Sequence, residues 1–489
     1  MSFLERRPYL ALAIAIAVQV ATFVVGQRDL AASDPLWYAS IAHGLATHAH
    51  DVFATHNTHP FVMRVGLTAP IALGYLAFGV STIVTNLPCL LAAIGILAVV
   101  YAAAPTPRAK LIGMAFAVAS TPLVTRDANM LNPDLPCAAV MAASILLLSR
   151  REHGPRWVVA AAATWFAAFL VKETALWCAP VWVWAFVRDL RCDGRAATLR
   201  RFGPALVTGA ALALAYLVVC ALVWGDALAR FHGIQALAHD HTWSLEGKPA
   251  HAWLARLVWE PAVLAYKNLH LMLVPVVAAF IFVRGPARIW LVATATILLL
   301  YWFGSSSLSV YSPLPIMYRM FFPAIPPLLV AATLGTEAAL ERIADQRWRL
   351  ALWIAIAVLV VVPHARGLHS LRTPRPEVAA YAVLRSDVAH APGPFVLVCG
   401  DPRCVPLTDF YFEFAEPPRL HVVEATQFAH APLPSGATVR ILIEEQRATE
   451  VHSDLQARAD ALGLPIEFRT PGARIYDAGD GARLWQALQ

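Results

Sequence analysis

Apolar runs long enough to cross a bilayer recur from residue 8 to about residue 364 and then stop. No other feature limits the fold so tightly. A helix needs about 20 residues to cover the hydrocarbon of a membrane, and only helices or closed barrels satisfy the backbone there. These runs are too continuous for the alternating strands of a barrel. Composition agrees: 58% of the 489 residues are hydrophobic and 14% are charged, where a soluble chain carries about 25% charged residues. The formal charge is +6 and the pI about 9.0. The arginines sit in short clusters between apolar runs, which fits membrane orientation rather than nucleic-acid binding.

The pattern predicts about eleven spans, near 8–26, 82–103, 111–125, 135–149, 157–171, 175–188, 203–224, 269–284, 288–303, 321–339 and 349–364. The first follows Arg6 and Arg7 without a convincing cleavage site, so it reads as a retained helix. A stretch at 66–80 is short for a span and reads as a juxtamembrane or re-entrant helix. Every second connection carries arginines: Arg6 and Arg7; Arg108; Arg150, Arg151 and Arg156; Arg188 to Arg201; Arg284 and Arg288; Arg342 to Arg349. The positive-inside rule makes that side cytoplasmic. The other side, periplasmic in a bacterial inner membrane, receives the long loops 27–65 and 225–267, the connections 126–134 and 304–320, and the region of Lys172.

The expected organisation is therefore a transmembrane domain over 1–364 and a periplasmic domain over 365–489. The latter has strand-like runs at 394–400, 419–423, 438–445 and 466–470, and an amphipathic helix at 448–462, the mark of a small α/β fold. Cys399 and Cys404 lie five residues apart in it. An oxidising compartment favours a disulfide there; two free thiols are the alternative.

Ionisable residues concentrate at the outward ends of the spans. Asp34 stands in the first outward loop with Pro35 behind it and Tyr38 four residues on, so Asp34 and Tyr38 share a helix face; SDP is also a good helix cap. The loop holds His43, His48, His50, His56 and His59, with His56 and His59 as candidate metal ligands, although the spacing matches no zinc signature. Arg64 ends the loop. Arg126, Asp127 and Asp134 crowd the next outward turn. Lys172 and Glu173 interrupt an apolar hairpin, and Tyr318 and Arg319 stand at the mouth of a late span. Snorkelling and capping account for such residues in ordinary membrane proteins. Charge placed in or near the hydrocarbon, however, usually marks a functional site.

The succession of a long first outward loop with an acid and a Tyr, HPF…R, a short loop with R…A…L…PD, KET at a hairpin and R…PAIPPLL resembles the GT-C superfamily of membrane glycosyltransferases. It looks most like bacterial relatives of protein O-mannosyltransferase and of the lipid A aminoarabinose transferase. The resemblance covers about residues 8–340. It implies an inverting transfer of a sugar from a polyprenyl-phosphate carrier to an acceptor hydroxyl at the outer face of the inner membrane, the acceptor being a lipid, a glycan or a protein. Asp34 corresponds to the family's general base and Asp134 to a second acidic site residue. Arg64, Lys172 and Arg319 correspond to its phosphate contacts, with Tyr38, Glu173 and Tyr318 beside them. Asp34 lacks an acidic neighbour of the metal-dependent type, and the histidines leave a divalent metal open. Two other readings share the multispan layout: a transporter or flippase for a lipid-linked saccharide, and an O-antigen ligase or polymerase. A transporter should carry midplane charges and an internal repeat, and this sequence has neither.

Overall fold

The computed structural model describes residues 6–26, 34–47, 60–120, 129–238, 245, 248–269, 273–305, 311, 313–314, 318–371, 376–400, 404–412, 414, 419–428, 434–444, 450–470, 473–479, 481–482 and 484. Loop histidines His48, His50, His56 and His59, and the pair Arg126 and Asp127, lie outside them. The chain divides into two units. One comprises residues 1–27, 44–73 and 85–372, the other 28–43, 74–84 and 373–489.

The helices run in chain order as α1 (Pro8–Val25), α2 (Asp34–Thr47), α3 (Val65–Phe78), α4 (Thr82–Ala103), α5 (Pro107–Ala119), α6 (Asp134–Ser149), α7 (Pro155–Val171), α8 (Ala179–Asp193), α9 (Arg195–Trp224), α10 (Ala229–Ala238), α11 (Ala250–Leu254), α12 (Glu260–Leu269), α13 (Leu273–Phe282), α14 (Arg288–Phe303), α15 (Ile325–Arg342) and α16 (Gln346–Leu371). Among the described residues, five stretches are long and apolar enough to cross a membrane: α1, α4, α9, Gly285–Phe303 and Arg319–Arg342. Helices α3, α6, α7 and α13 are shorter apolar helices. The chain is a multi-pass membrane protein. The stretch expected at 66–80 is α3, whose 14 residues rise about 21 Å, short of a hydrocarbon layer of about 30 Å. The span expected at 175–188 starts late, because Glu173–Cys178 form a 3-10 turn ahead of α8.

Burial separates two kinds of helix in the first unit. Residues Ile325 to Glu337 of α15 are all buried, as befits the pillar of a bundle. Gly335 makes its packing on α13 possible: a Cβ there would lie 2.1 Å from the Pro275 carbonyl oxygen. Helix α9 is the opposite case, with Leu206, Val207, Leu214 and Leu222 exposed. So much bare aliphatic surface is tolerated against lipid tails, not against water. Thr106 caps α5 by accepting from Ala109 N at 3.1 Å and also bonds the Glu337 carboxylate of α15, so both polar groups are satisfied inside the bundle.

The second unit holds α17 (Pro376–His390), β1 (Phe395–Cys399), α18 (Cys404–Tyr411), β2 (Leu420–Glu424), α19 (Ala425–Phe428), β3 (Thr438–Glu444), α20 (Glu450–Ala461), β4 (Ile466–Thr470) and β5 (Ala473–Asp477). The strands form one mixed sheet in the order β2-β1-β3-β5-β4. Strand β1 pairs in parallel with β2 and β3, and β5 pairs antiparallel with β3 and β4. Val396, Val398, Val439, Ile441 and Ile443 alternate onto one face and pack with Phe428, Leu455 and Ala459, the period of two expected of a half-covered sheet. Arg440, between Val439 and Ile441 in sequence, joins Asp387 of α17, Glu467 of β4 and Asp477 of β5 in one ion cluster. Cys399 and Cys404 are disulfide-bonded, tying the end of β1 to α18. The four predicted strands and the amphipathic helix are present. The fifth strand and helices α17, α18 and α19 are additions: β5 is five residues long with Arg474 inside it, and among the described side chains α17 buries a narrow stripe of Ala380, Tyr381, Leu384 and Val388.

Candidate active site

The first unit gathers three cations and two carboxylates from four places in the chain. Helix α7 stops at Lys172, whose backbone turns extended (φ −156°, ψ 144°) before the 3-10 turn that begins at Glu173. The reversal throws the two side chains into different partnerships. Lys172 Nζ donates to Asp134 Oδ1 at 2.5 Å, with both side chains buried. Its ammonium also lies 3.7 Å from the Met320 sulfur, which brings the turn Tyr318–Ala324 alongside.

Asp134 is not the cap of α6. Pro133 holds the cap position, and the Asn132 side chain just before it accepts from Leu135 N at 3.1 Å. The turn ahead of α6 is held by amide side chains from two other helices' surroundings: Asn86 of α4 donates to the Asn129 carbonyl at 3.2 Å, and Asn129 donates to the Thr22 carbonyl of α1 at 3.3 Å. Asp134 is thereby released from local work and directed at Lys172.

Glu173 takes the other two cations. Arg64 Nη2 donates to Glu173 Oε1 at 2.6 Å, and its Nε to Oε2 at 3.3 Å, the two-pronged geometry that guanidinium offers and ammonium does not. Arg64 reaches it because α3 lies directly on the end of α7: a Cβ on Gly66 would stand 2.8 Å from the Leu170 carbonyl carbon and the Val171 nitrogen. Arg230, at the start of α10, donates through Nη2 to Glu173 Oε2 at 3.3 Å, and its guanidinium lies 4.4 Å above the Phe169 ring. Burial raises the Glu173 carboxyl; Arg64, Arg230 and Lys172 outweigh it and hold the group well below the usual carboxylate range.

Arg230 is fully buried. Among the described residues its Nε and Nη1 make no hydrogen bond of good geometry, although the Tyr216 hydroxyl lies within hydrogen-bonding reach of the guanidinium. Buried guanidinium N–H groups are costly to leave unmatched, and the local charge is three cations against two carboxylates. The cluster has the donors and the net charge to accept one more anionic oxygen group. Beside it, α7, α8, α9 and α10 enclose an apolar groove of about 520 Å³ whose walls include Trp165, Phe169, Trp182, Leu217 and Phe231. Trp165 and Trp182 stack there with ring centroids 5.4 Å apart. Phe169 belongs both to the groove wall and to the Arg230 contact, so one side chain links the groove to the cluster.

Of the residues expected from sequence, Arg64, Asp134, Lys172 and Glu173 come together in the first unit. Arg319 lies half-buried in the same 3-10 turn as Met320, and the Tyr318 side chain lies outside the described residues. Asp34 and Tyr38 belong to the second unit: Asp34 is the first residue of α2, and Tyr38, one turn on, is fully buried. In that unit His43 stacks on Phe414 at 4.4 Å, so the end of this histidine-rich segment is engaged in aromatic packing. Among the described residues no group of His, Cys, Asp and Glu has metal-binding geometry. Arg230 was not anticipated. It lies in the polar segment 225–267, and nothing local distinguishes it there from Arg256, which instead donates to the carbonyls of Trp302 and Leu314.

No sequence-family model matches this chain, and no curated protein matches it. Solved structures do. ArnT from Cupriavidus metallidurans bound to undecaprenyl phosphate superposes with a TM-score of 0.60 at 15% identity, over 96% of this chain and 97% of that one. The same protein in the apo state gives 0.59 at 16% identity over the same shares. The oligosaccharyltransferase of Archaeoglobus fulgidus, in complex with Zn and sulfate, gives 0.54 at 13% identity, over 96% of this chain and 73% of that one. Both are GT-C enzymes; at these identities the likeness is one of fold, and the chain has the fold of the GT-C membrane glycosyltransferases.

Proposed function

We propose that this protein is an inverting glycosyltransferase that moves a sugar from a polyprenyl-phosphate carrier to an acceptor hydroxyl. The reaction would take place at the outer face of a bacterial inner membrane. The observation that carries the reading is the buried cluster of Arg64, Lys172 and Arg230 around Asp134 and Glu173, with Arg230 stacked on Phe169, a wall of the neighbouring apolar groove. A polyprenyl phosphate has the matching shape, an anionic head on a long apolar chain. The ArnT neighbour binds such a carrier, undecaprenyl phosphate, which supports the same class of ligand here. About eleven spans, a cytoplasmic N-terminus and a periplasmic C-terminal domain follow from the alternation of basic loops. The Cys399–Cys404 bond fits that assignment, since disulfides persist in oxidising compartments.

In this mechanism the anomeric carbon separates from the carrier phosphate as the acceptor oxygen attacks from the opposite face. Negative charge grows on the leaving phosphate, and fixed cations stabilise it there without reorganising. Arg230 orients the phosphate through the N–H groups that Glu173 does not occupy, while Arg64 and Lys172 supply fixed positive charge, Lys172 as a compact one. Asp134 holds the ammonium of Lys172 and Glu173 holds the guanidinium groups, so the three like charges can sit close together before the carrier arrives. The acceptor proton passes to Asp34 as general base, with Tyr38 on the same helix face; Asp134 is the reserve for that role. Arg319 and Tyr318 line the turn next to Lys172. A divalent metal stays open through the histidines of the first loop, including His56 and His59.

The test is transfer from a polyprenyl-phosphate sugar by purified variants, with thermal stability as control. Asp34→Asn should remain folded and bind donor, yet lose about 10²–10⁴ in rate, the usual cost of a missing general base. Near-normal turnover would move the base elsewhere, Asp134 being the first alternative.

A further inference from the structure

A second groove, of about 840 Å³, runs along α8 against the turn that begins at Gly285. It has the polarity of a lipid. Pro180, Val183, Trp184 and Val187 line its length, and Arg188, Arg191 and Arg288 line its end. Pro180, Trp184, Val187, Arg188 and Arg191 recur at the three- and four-residue spacing of one helix face. From Pro180 to Cys192 the helix rises about 18 Å, close to the half-thickness of a hydrocarbon layer plus a head group.

The charge at the arginine end is unbalanced. The nearby acids are engaged with arginines. Arg151 is fully buried and donates to Asp189 at 3.1 Å, and Arg201 bonds both Asp189 and Asp193. Arg188 stands 3.5 Å from Glu152 and 5.9 Å over the Trp184 ring. Arg191 and Arg288 have no carboxylate partner among the described residues; Arg288 Nε donates only to the Val283 carbonyl, at 3.3 Å. All of these residues stand at the arginine-rich end of the bundle.

We propose that this groove binds an anionic glycerophospholipid of the leaflet at the arginine-rich side. Its head-group phosphate would sit between Arg191 and Arg288, with Arg188 at the edge, and one acyl chain would lie along Val187, Val183 and Pro180. Arginine matches phosphate with paired donors, and basic pockets between membrane helices on the cytoplasmic side are suited to anionic head groups. The site is separate from the Glu173 cluster and does not depend on the glycosyltransferase reading.

Cys192 lines the groove and is exposed, whereas Cys89, Cys137, Cys178 and Cys220 are buried. A polarity-sensitive maleimide on Cys192 of the purified full-length protein therefore reports on it. Detergent micelles doped with dioleoylphosphatidylglycerol should give a saturable emission shift; dioleoylphosphatidylcholine and inorganic phosphate should not. In Arg191→Gln/Arg288→Gln, which alters exposed side chains only, the phosphatidylglycerol affinity should fall roughly tenfold or more. Native mass spectrometry of the unlabelled protein should show the same preference and the same loss. Equal responses to the two lipids, saturation by inorganic phosphate alone, or a variant that binds as the parent does would each overturn the proposal.

Discussion

Glu173 decides the electrostatics of the candidate site, because of the two carboxylates in the cluster it is the one in contact with two arginines. Removing one member of a buried ion pair leaves the other uncompensated and costs about 3–5 kcal/mol. Glu173→Gln should destabilise the protein by about that amount at neutral pH. The pH dependence has a definite sign. In the unfolded chain a glutamate titrates near about 4.3; in the fold the arginines hold it lower. Its contribution is present in full above the unfolded value and is lost as pH falls through the folded one. Melting curves of parent and variant in detergent should therefore lie far apart at neutral pH and converge on acidification below about pH 4. A gap that did not change with pH would remove Glu173 as the counter-ion. These contacts were only partly legible beforehand. KET at a hairpin, the ARG-then-span at residue 64 and the PD before α6 announced themselves as charges where apolar sequence was due. Arg230 did not, because an arginine in a long polar loop looks the same whether it ends buried beneath Phe169 or in water.

At the scale of elements, the site depends on how close α3 comes to α7. Gly66 sets that distance, since any side chain there meets backbone atoms that cannot turn aside. Gly66→Ala should cost about 1–3 kcal/mol, the range for overpacking a tight contact, and should loosen the Arg64–Glu173 pair. Gly203→Ala in α9 is the control: a Cβ there meets nothing within 4 Å, and alanine favours helix over glycine by about 1 kcal/mol. A thermal-shift comparison checks both, and equal behaviour of the two variants would mean that α3 can move without consequence. Helix periodicity shows which faces are apolar. It does not show which glycine permits two helices to touch, and for that reason the hairpin charges could be singled out in the sequence while their partners could not be paired. The strands of the second unit were legible for a different reason: alternating Val and Ile over five to seven residues has few other uses. Strand β5 escaped because it carries Arg474 at its second position and is set by pairing with β3 rather than by its own composition.

At the scale of the whole molecule, alternation of basic and non-basic loops was the strongest signal, because one miscounted span would put every later arginine cluster on the wrong side. The prediction is that residues 365–489 lie in the periplasm. An alkaline phosphatase fused after Gln489 should be active, and a reporter that folds only in the cytoplasm should be silent; the reverse would invert the orientation. Among the described residues, five helices satisfy the length and hydropathy of a span outright and others are shorter. Of these, α7 is short because the Lys172–Cys178 reversal that builds the site ends it.

The central claim is that the cations around Glu173 hold the phosphate of a polyprenyl carrier. Binding of undecaprenyl phosphate by the purified protein, measured against uncharged undecaprenol, tests it most directly. The phosphate should bind and the alcohol should bind much more weakly, since only the former answers the unmatched Arg230 donors. Arg230→Gln and Lys172→Ala should each reduce affinity for the phosphate about tenfold or more, the scale of a lost charged hydrogen bond, and leave the weak binding of undecaprenol unchanged. Equal affinity for phosphate and alcohol, or full phosphate affinity in both variants, would contradict the account.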